Sequence, residues 1–133
     1  MKKQTTSTKK EILSSTPLQM HTIDASGRTL GRVASEAASH LIGKRLPSYR
    51  RGVLPINMSV IIRNAGKLRI SERKKNFTKY VAYSGYAGGL KTTTLGELLP
   101  RKGITEAVSR TVSGMLPKNK LREQAMKRLS VFE

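Results

Sequence analysis

The sequence predicts an α/β domain, and three observations carry the prediction. A β-prone segment, residues 20–25, runs into a Ser-Gly turn and then into a stretch with helical apolar spacing. The β-branched run Met58 to Arg63 suits a buried central strand. Amphipathic stretches fill the last third, so strand, helix, strand and further helices follow one another along a single chain.

The first strand ends at the turn dipeptide Ser26-Gly27. From Leu30 onward, Val33, Ala34, Ala37, Ala38, Leu41 and Ile42 recur at intervals of three and four, which places them on one helical face. Gly43 ends this helix, and Lys44 and Arg45 suit the negative end of its dipole. Leu46 to Pro55 holds two prolines and a glycine and reads as an extended loop leading into the buried strand.

After the turn Ala65-Gly66, Lys67 to Ser71 alternates charged and apolar residues, as a half-exposed strand would. A basic loop is expected to lead on to Phe77 and Tyr86. Thr94 and Glu97 have capping-box spacing ahead of Leu98 and Leu99, so a short helix starts there. Ile104, Ala107, Val108, Val112, Met115 and Leu116 give another helix, stopped by Pro117. A last helix is expected from Lys120 to Leu129, with Val131-Phe132 closing the sheet. No internal repeat or second domain is visible. Residues 19–133 are expected to form the domain, and residues 1–18 a basic tail, disordered or extended, with no apolar face to bury.

Composition narrows the function. The 133 residues carry 26 Lys and Arg against 8 Asp and Glu, a formal net charge of +18. So dense a charge repels itself unless a polyanion relieves it, and nucleic acid is the obvious one. The basic residues recur in clusters on separate loops and helix ends, which suits an anionic surface wrapping the fold; a lone cluster would as readily be a solvated face. The absence of Cys excludes a disulfide scaffold and thiolate metal sites, and two His make imidazole-rich metal sites improbable, so no metal or cofactor is expected. The longest apolar runs fall far short of the roughly 20 residues that span a bilayer, so no membrane partner is expected. The tail uses Lys where an organelle import signal favours Arg, which points to the cytoplasm and leaves an organelle open.

Enzymatic motifs fail on inspection. Residues 27–32, Gly-Arg-Thr-Leu-Gly-Arg, sit between a strand and a helix as a phosphate loop would, but the glycine spacing and the missing Lys-Ser or Lys-Thr do not match. The helix N-terminus there could still hold an RNA phosphate. A glycine turn for close strand-to-helix packing explains the motif at least as well. Asp24 is the only Asp, and no carboxylate pair lies at short spacing. Ser84 lacks the preceding glycine of a nucleophile elbow. His21 and His40 read as packing or surface residues before they read as catalysts. Between Tyr80 and Lys91, Gly85, Gly88 and Gly89 permit close backbone approach to a partner, and Tyr side chains can stack on unpaired bases. Phe77, Tyr80, Tyr83 and Tyr86 recur every third residue, so on a strand they would alternate faces, and one or two of them are expected in the core.

Three motifs then carry a family resemblance. Residues 23–34, Ile-Asp-Ala-Ser-Gly-Arg-Thr-Leu-Gly-Arg-Val-Ala, resemble the opening motif of the large-subunit ribosomal protein family known as L-thirteen. Residues 83–91, Tyr-Ser-Gly-Tyr-Ala-Gly-Gly-Leu-Lys, are similar to its central glycine loop, and residues 112–118, Val-Ser-Gly-Met-Leu-Pro-Lys, to its C-terminal signature. The match is collinear over residues 20–132. The chain departs from the family at Tyr83, where His is usual, near Arg122, where a Gly is usual, and at Asn57, where an acidic residue commonly stands.

The resemblance implies a three-layer α/β fold with a mainly parallel sheet, here of about four strands, flanked by helices. It also implies a structural, non-catalytic role: binding large-subunit ribosomal RNA during assembly, beside neighbouring large-subunit proteins, with no small-molecule substrate. The residues expected at the RNA are Arg28, Arg32, Lys44, Arg45, Arg50, Arg51, Arg73, Lys74, Lys75, Tyr86, Gly88, Gly89, Lys91, Lys118, Lys120 and Arg122. Another architectural RNA- or DNA-binding protein, or a nucleotide-dependent enzyme, would be the alternatives.

Overall fold

The computed structural model describes residues 19–55 and 57–133; the expected tail, residues 1–18, lies outside them. In chain order the elements are β1 (Gln19–Asp24), α1 (Leu30–Ile42), β2 (Met58–Arg63), a 3-10 turn (Ala65–Lys67), α2 (Glu72–Phe77), β3 (Lys79–Tyr83), β4 (Leu90–Thr94), α3 (Leu95–Met115), α4 (Leu121–Met126) and β5 (Leu129–Val131).

β1 and β2 pair in parallel with α1 as their crossover, His21 lying beside Val60 and Ile23 beside Ile62. β5 adds in parallel to the other edge of β2, so the order is β1-β2-β5 and the β-branched strand is central, as its composition predicts. Pairing continues one residue past β5, where the Phe132 N–H donates to the Ile62 carbonyl at 2.8 Å.

The face of the sheet that carries Ile23, Val60 and Ile62 is buried, whereas Met20, Thr22 and Asp24 on the opposite face of β1 are exposed. α1 supplies Leu30, Val33, Ala34, Ala37, Ala38 and Leu41 to the core, as its spacing predicts, while Ile42 of the same predicted set is half-buried against it. It ends at Gly43, whose φ of 79° lets its N–H turn back to the His40 carbonyl. Each fully buried Leu, Ile or Val of this core contributes about 1.5–3 kcal/mol by leaving water.

The α/β class with a parallel sheet and packed helices holds, but among the described residues the sheet has three strands where about four were expected. Lys67 to Ser71 is not a strand. Asn64 adopts a left-handed conformation (φ 57°), the chain tightens into the 3-10 turn, and only an isolated bridge between Thr29 and Arg69 follows. The alternation there has a simpler origin: Leu68 and Ile70 pack against the core while Lys67 and Arg69 face water.

The expected basic loop contains α2 and a separate antiparallel hairpin, β3–β4, in which Tyr83 lies opposite Leu90 and Lys79 opposite Thr94. α2 buries nothing. It is held by the Ser71 hydroxyl, which accepts from the Lys74 N–H, and by a Lys75–Glu72 ion pair at 2.7 Å.

α3 begins with a complete capping box: the Thr94 hydroxyl accepts from the Glu97 N–H and the Glu97 carboxylate accepts from the Thr94 N–H. The two helices expected in this region form one run broken at Gly103, whose φ of 79° and ψ of 172° are not helical. α3 packs against α1, and it buries Leu95, Leu98, Ala107, Val108 and Val112. The last helix is shorter than expected, since β5 already starts at Leu129.

Candidate nucleic-acid interface

The turn after β1 is built around Asp24. Its Oδ1 accepts hydrogen bonds from the Ser26 N–H at 3.1 Å, the Ser26 hydroxyl at 2.9 Å and the Asn64 amide at 3.0 Å. These bonds, the Asn64 amide foremost, hold its pKa at about 2, below the ordinary 3.8. The Gly27 N–H donates to the Lys67 carbonyl and the Arg28 N–H to the Ala25 carbonyl. Three successive N–H groups that a phosphate loop would aim at an anion are thus committed within the fold. The turn, with Gly27 at φ 66°, ties β1 to the segment after β2.

Internal pairing divides the cations into two groups. Arg28 binds Glu36 at 2.5 Å, and this guanidinium holds the Glu36 carboxyl below its usual range. Lys75 is paired with Glu72, and Arg110 with Glu106 at 2.7 Å while also lying 5.6 Å from the centre of the Tyr80 ring. Arg128 donates to the Pro55 carbonyl and pins the loop before β2. Arg28 and Lys75, both expected at the RNA, therefore have roles inside the fold.

Arg32, Lys44, Arg45, Arg50, Arg51, Arg73, Lys74, Lys91, Lys118 and Lys120 are exposed, and Arg122 is half-buried. None of these eleven forms an ion pair among the described residues.

The fold brings some of them together. Lys74 Nζ lies 3.6 Å from where a Cβ on Gly31 would stand, which sets α2 beside the first turn of α1. Lys44 and Arg51, and Arg122 far from both in sequence, line one hollow between the loop before β2 and the start of α4. Tyr49, Val53 and Met115 share that hollow and are exposed. Sequence reading did not mark Tyr49 and Val53, because an apolar residue in a loop carries no periodicity; Met115 was counted in the apolar spacing of its helix, yet it stands exposed at the end of α3.

Of the aromatic series, Tyr80 alone packs against the core; Phe77, Tyr83 and Tyr86 are exposed, Tyr86 at 79%. The hairpin tip accounts for its own glycines. Gly88 has φ 73°, and a Cβ on Gly89 would fall 1.9 Å from Ser84 Oγ and 3.0 Å from the Tyr86 carbonyl oxygen.

His21 and His40 stack with ring centroids 3.6 Å apart. With Glu36 they form a group whose ligand atoms all lie within 4.8 Å. The Glu36 carboxylate already faces the Arg28 guanidinium, so the group fits a packed, cation-flanked pair better than a cation site.

The fold and its loops define a class: a small, strongly basic α/β domain that presents unpaired cations on several segments. Within that class, the chain belongs to the family described as Ribosomal protein L13, whose model matches residues 18–133. Relatives are named large ribosomal subunit protein uL13. That of Dehalococcoides mccartyi is 41% identical over 113 residues, covering 85% of this chain and 78% of the relative. The Clostridioides difficile protein is 43% identical over 110 residues, covering 83% and 76%. The Kocuria rhizophila protein is 43% identical over 114 residues, covering 86% and 76%.

Proposed function

We propose that the chain is a structural constituent of the large ribosomal subunit, where it binds and clamps large-subunit ribosomal RNA beside neighbouring ribosomal proteins, in the cytoplasm and without catalysis. Membership of the family carries this reading. The cation arrangement supports it: unpaired Lys and Arg on the α1 start, the loop before β2, the hairpin and the turn into α4 would neutralise phosphates that RNA folding crowds together. The residues proposed at the RNA are Arg32, Lys44, Arg45, Arg50, Arg51, Arg73, Lys74, Lys91, Lys118, Lys120 and Arg122, with Tyr86 and the Gly88-Gly89 tip as a stacking and close-approach element. Arg28 and Lys75 contribute by shaping the surface that carries these groups.

The test is binding of the purified chain to transcribed large-subunit and small-subunit ribosomal RNA at equal ionic strength. Selective retention of the large-subunit RNA is expected. Equal affinity for both would leave only general polyanion binding.

A further inference from the structure

We propose that the hollow between the loop before β2 and the α3–α4 turn seats a single unpaired nucleotide of the bound RNA, a reading that rests on the RNA-binding role above. The hollow has a volume of about 460 Å³, within the roughly 300–1,000 Å³ of small-ligand sites. Its chemistry is two-sided. Tyr49, Val53 and Met115 offer apolar surface, 40%, 59% and 42% exposed respectively, above a floor that includes the buried Leu116 and Ala125.

Lys44, Arg51 and Arg122 stand around the same space, and among the described residues no carboxylate lines it. Three cations without an acidic partner favour a phosphate over a peptide, whose own backbone is neutral. A flat aromatic and a thioether beside those cations suit a base splayed out of a helix, because every base has a face to stack. Asn119 adds an amide that can donate to and accept from a base edge.

The site is built from segments that only the tertiary fold unites. Arg128 bonds to the Pro55 carbonyl and fixes the loop that carries Tyr49 and Arg51. α4, which carries Arg122, is tied down where Ala125 packs into the core. The backbone segments that carry Arg51 and Arg122 are therefore set before RNA arrives, which lowers the ordering cost of binding.

The experiment uses the full chain bound to transcribed large-subunit ribosomal RNA. Ultraviolet cross-linking with mass spectrometry of the nucleotide adducts is combined with affinity measurements on Tyr49→Ala, Arg122→Glu and, as a control away from the hollow, Lys91→Ala. Adducts on peptides containing Tyr49 or Met115 are expected, together with about a tenfold loss of affinity for Tyr49→Ala and for Arg122→Glu at an unchanged melting temperature. Lys91→Ala should weaken binding but leave those adducts in place. Excess adenosine monophosphate should not displace them.

If the chain binds the RNA normally, yet no adduct maps to these peptides and both hollow variants bind as the parent does, the nucleotide site is wrong while the RNA-binding role stands. Displacement by the free nucleotide would also overturn it, assigning the hollow to a soluble ligand. A chain that binds no ribosomal RNA overturns both.

Discussion

The imidazole of His21 on β1 lies over that of His40 on α1, with ring centroids 3.6 Å apart and planes inclined by 23°. The contact joins the edge strand to the helix that covers it. His40 is buried, and its Nε2 has no hydrogen-bond partner among the described residues. Protonating it would place a charge in a buried site beside a second imidazole and near Arg45. Burial therefore pushes its pKa below the ordinary 6.5, with His21 and Arg45 acting in the same direction and Glu36 against them.

A pH dependence follows, with its sign fixed. Well above pH 6.5 His40 is neutral in both the folded and unfolded chains and adds no pH dependence. Below that value the unfolded chain binds a proton that the folded chain resists, so stability falls until the pH reaches the depressed folded value. Urea denaturation from about pH 7.5 to about pH 5.5 should show this decline, and His40→Phe, which keeps a ring in the stack, should flatten it. An unchanged slope in the variant would remove His40 as its source.

Gly103 should not tolerate a side chain. Its φ of 79° and ψ of 172° belong to a region open essentially to glycine alone, while the nearest atom to an added Cβ, Glu133 Oε1, is an ordinary 3.6 Å away. Gly103→Ala is expected to cost about 1–3 kcal/mol through backbone strain, without a packing clash. Denaturant titration checks this; a variant as stable as the parent would mean that α3 runs through the break.

Thr94→Ala removes one half of the capping box that starts α3. The expected loss is about 1 kcal/mol. Glu97→Gln keeps a side-chain oxygen that can accept from the Thr94 N–H, and should cost less.

Cations should separate into two groups by experiment. Arg51→Ala and Lys91→Ala are expected to leave the melting temperature unchanged and to flatten the slope of log affinity against log salt by roughly 0.7–0.9 each. Arg28→Ala and Arg110→Ala, which break the pairs with Glu36 and Glu106, should lower the melting temperature and change the slope little. With about eight phosphate contacts the parent slope should lie near −6 to −7, and a slope shallower than about −2 would contradict a surface wrapped in RNA.

Much of this architecture was legible in the residues, for physical reasons that can be named. The apolar stripe from Leu30 to Leu41 could satisfy only a helix, the β-branched run at β2 only a buried strand, and the spacing of Thr94 and Glu97 marked a cap. α2 was invisible because it buries no residue, so no stripe records it. Lys67 to Ser71 misled because period-two alternation reports which residues face the core, and an extended segment can have it with only one bridge. At the interface, the basic residues were each visible. The Lys75–Glu72 and Arg110–Glu106 pairs form within single helices, and Arg28 reaches Glu36 across eight residues, so these depend on local structure; that Arg51 and Arg122 share a hollow with Tyr49 depends on packing between segments some seventy residues apart.

The central claim is that this chain is an RNA-bound part of the large ribosomal subunit, and sedimentation tests it most directly. The tagged chain, expressed in its own cells at native level, is followed through a sucrose gradient after a high-salt wash of the ribosomes and separation of the subunits. It should travel with the large subunit at about one copy per particle and resist the wash, because several phosphate contacts must break together for release. Recovery at the top of the gradient, or with the small subunit, would contradict the account.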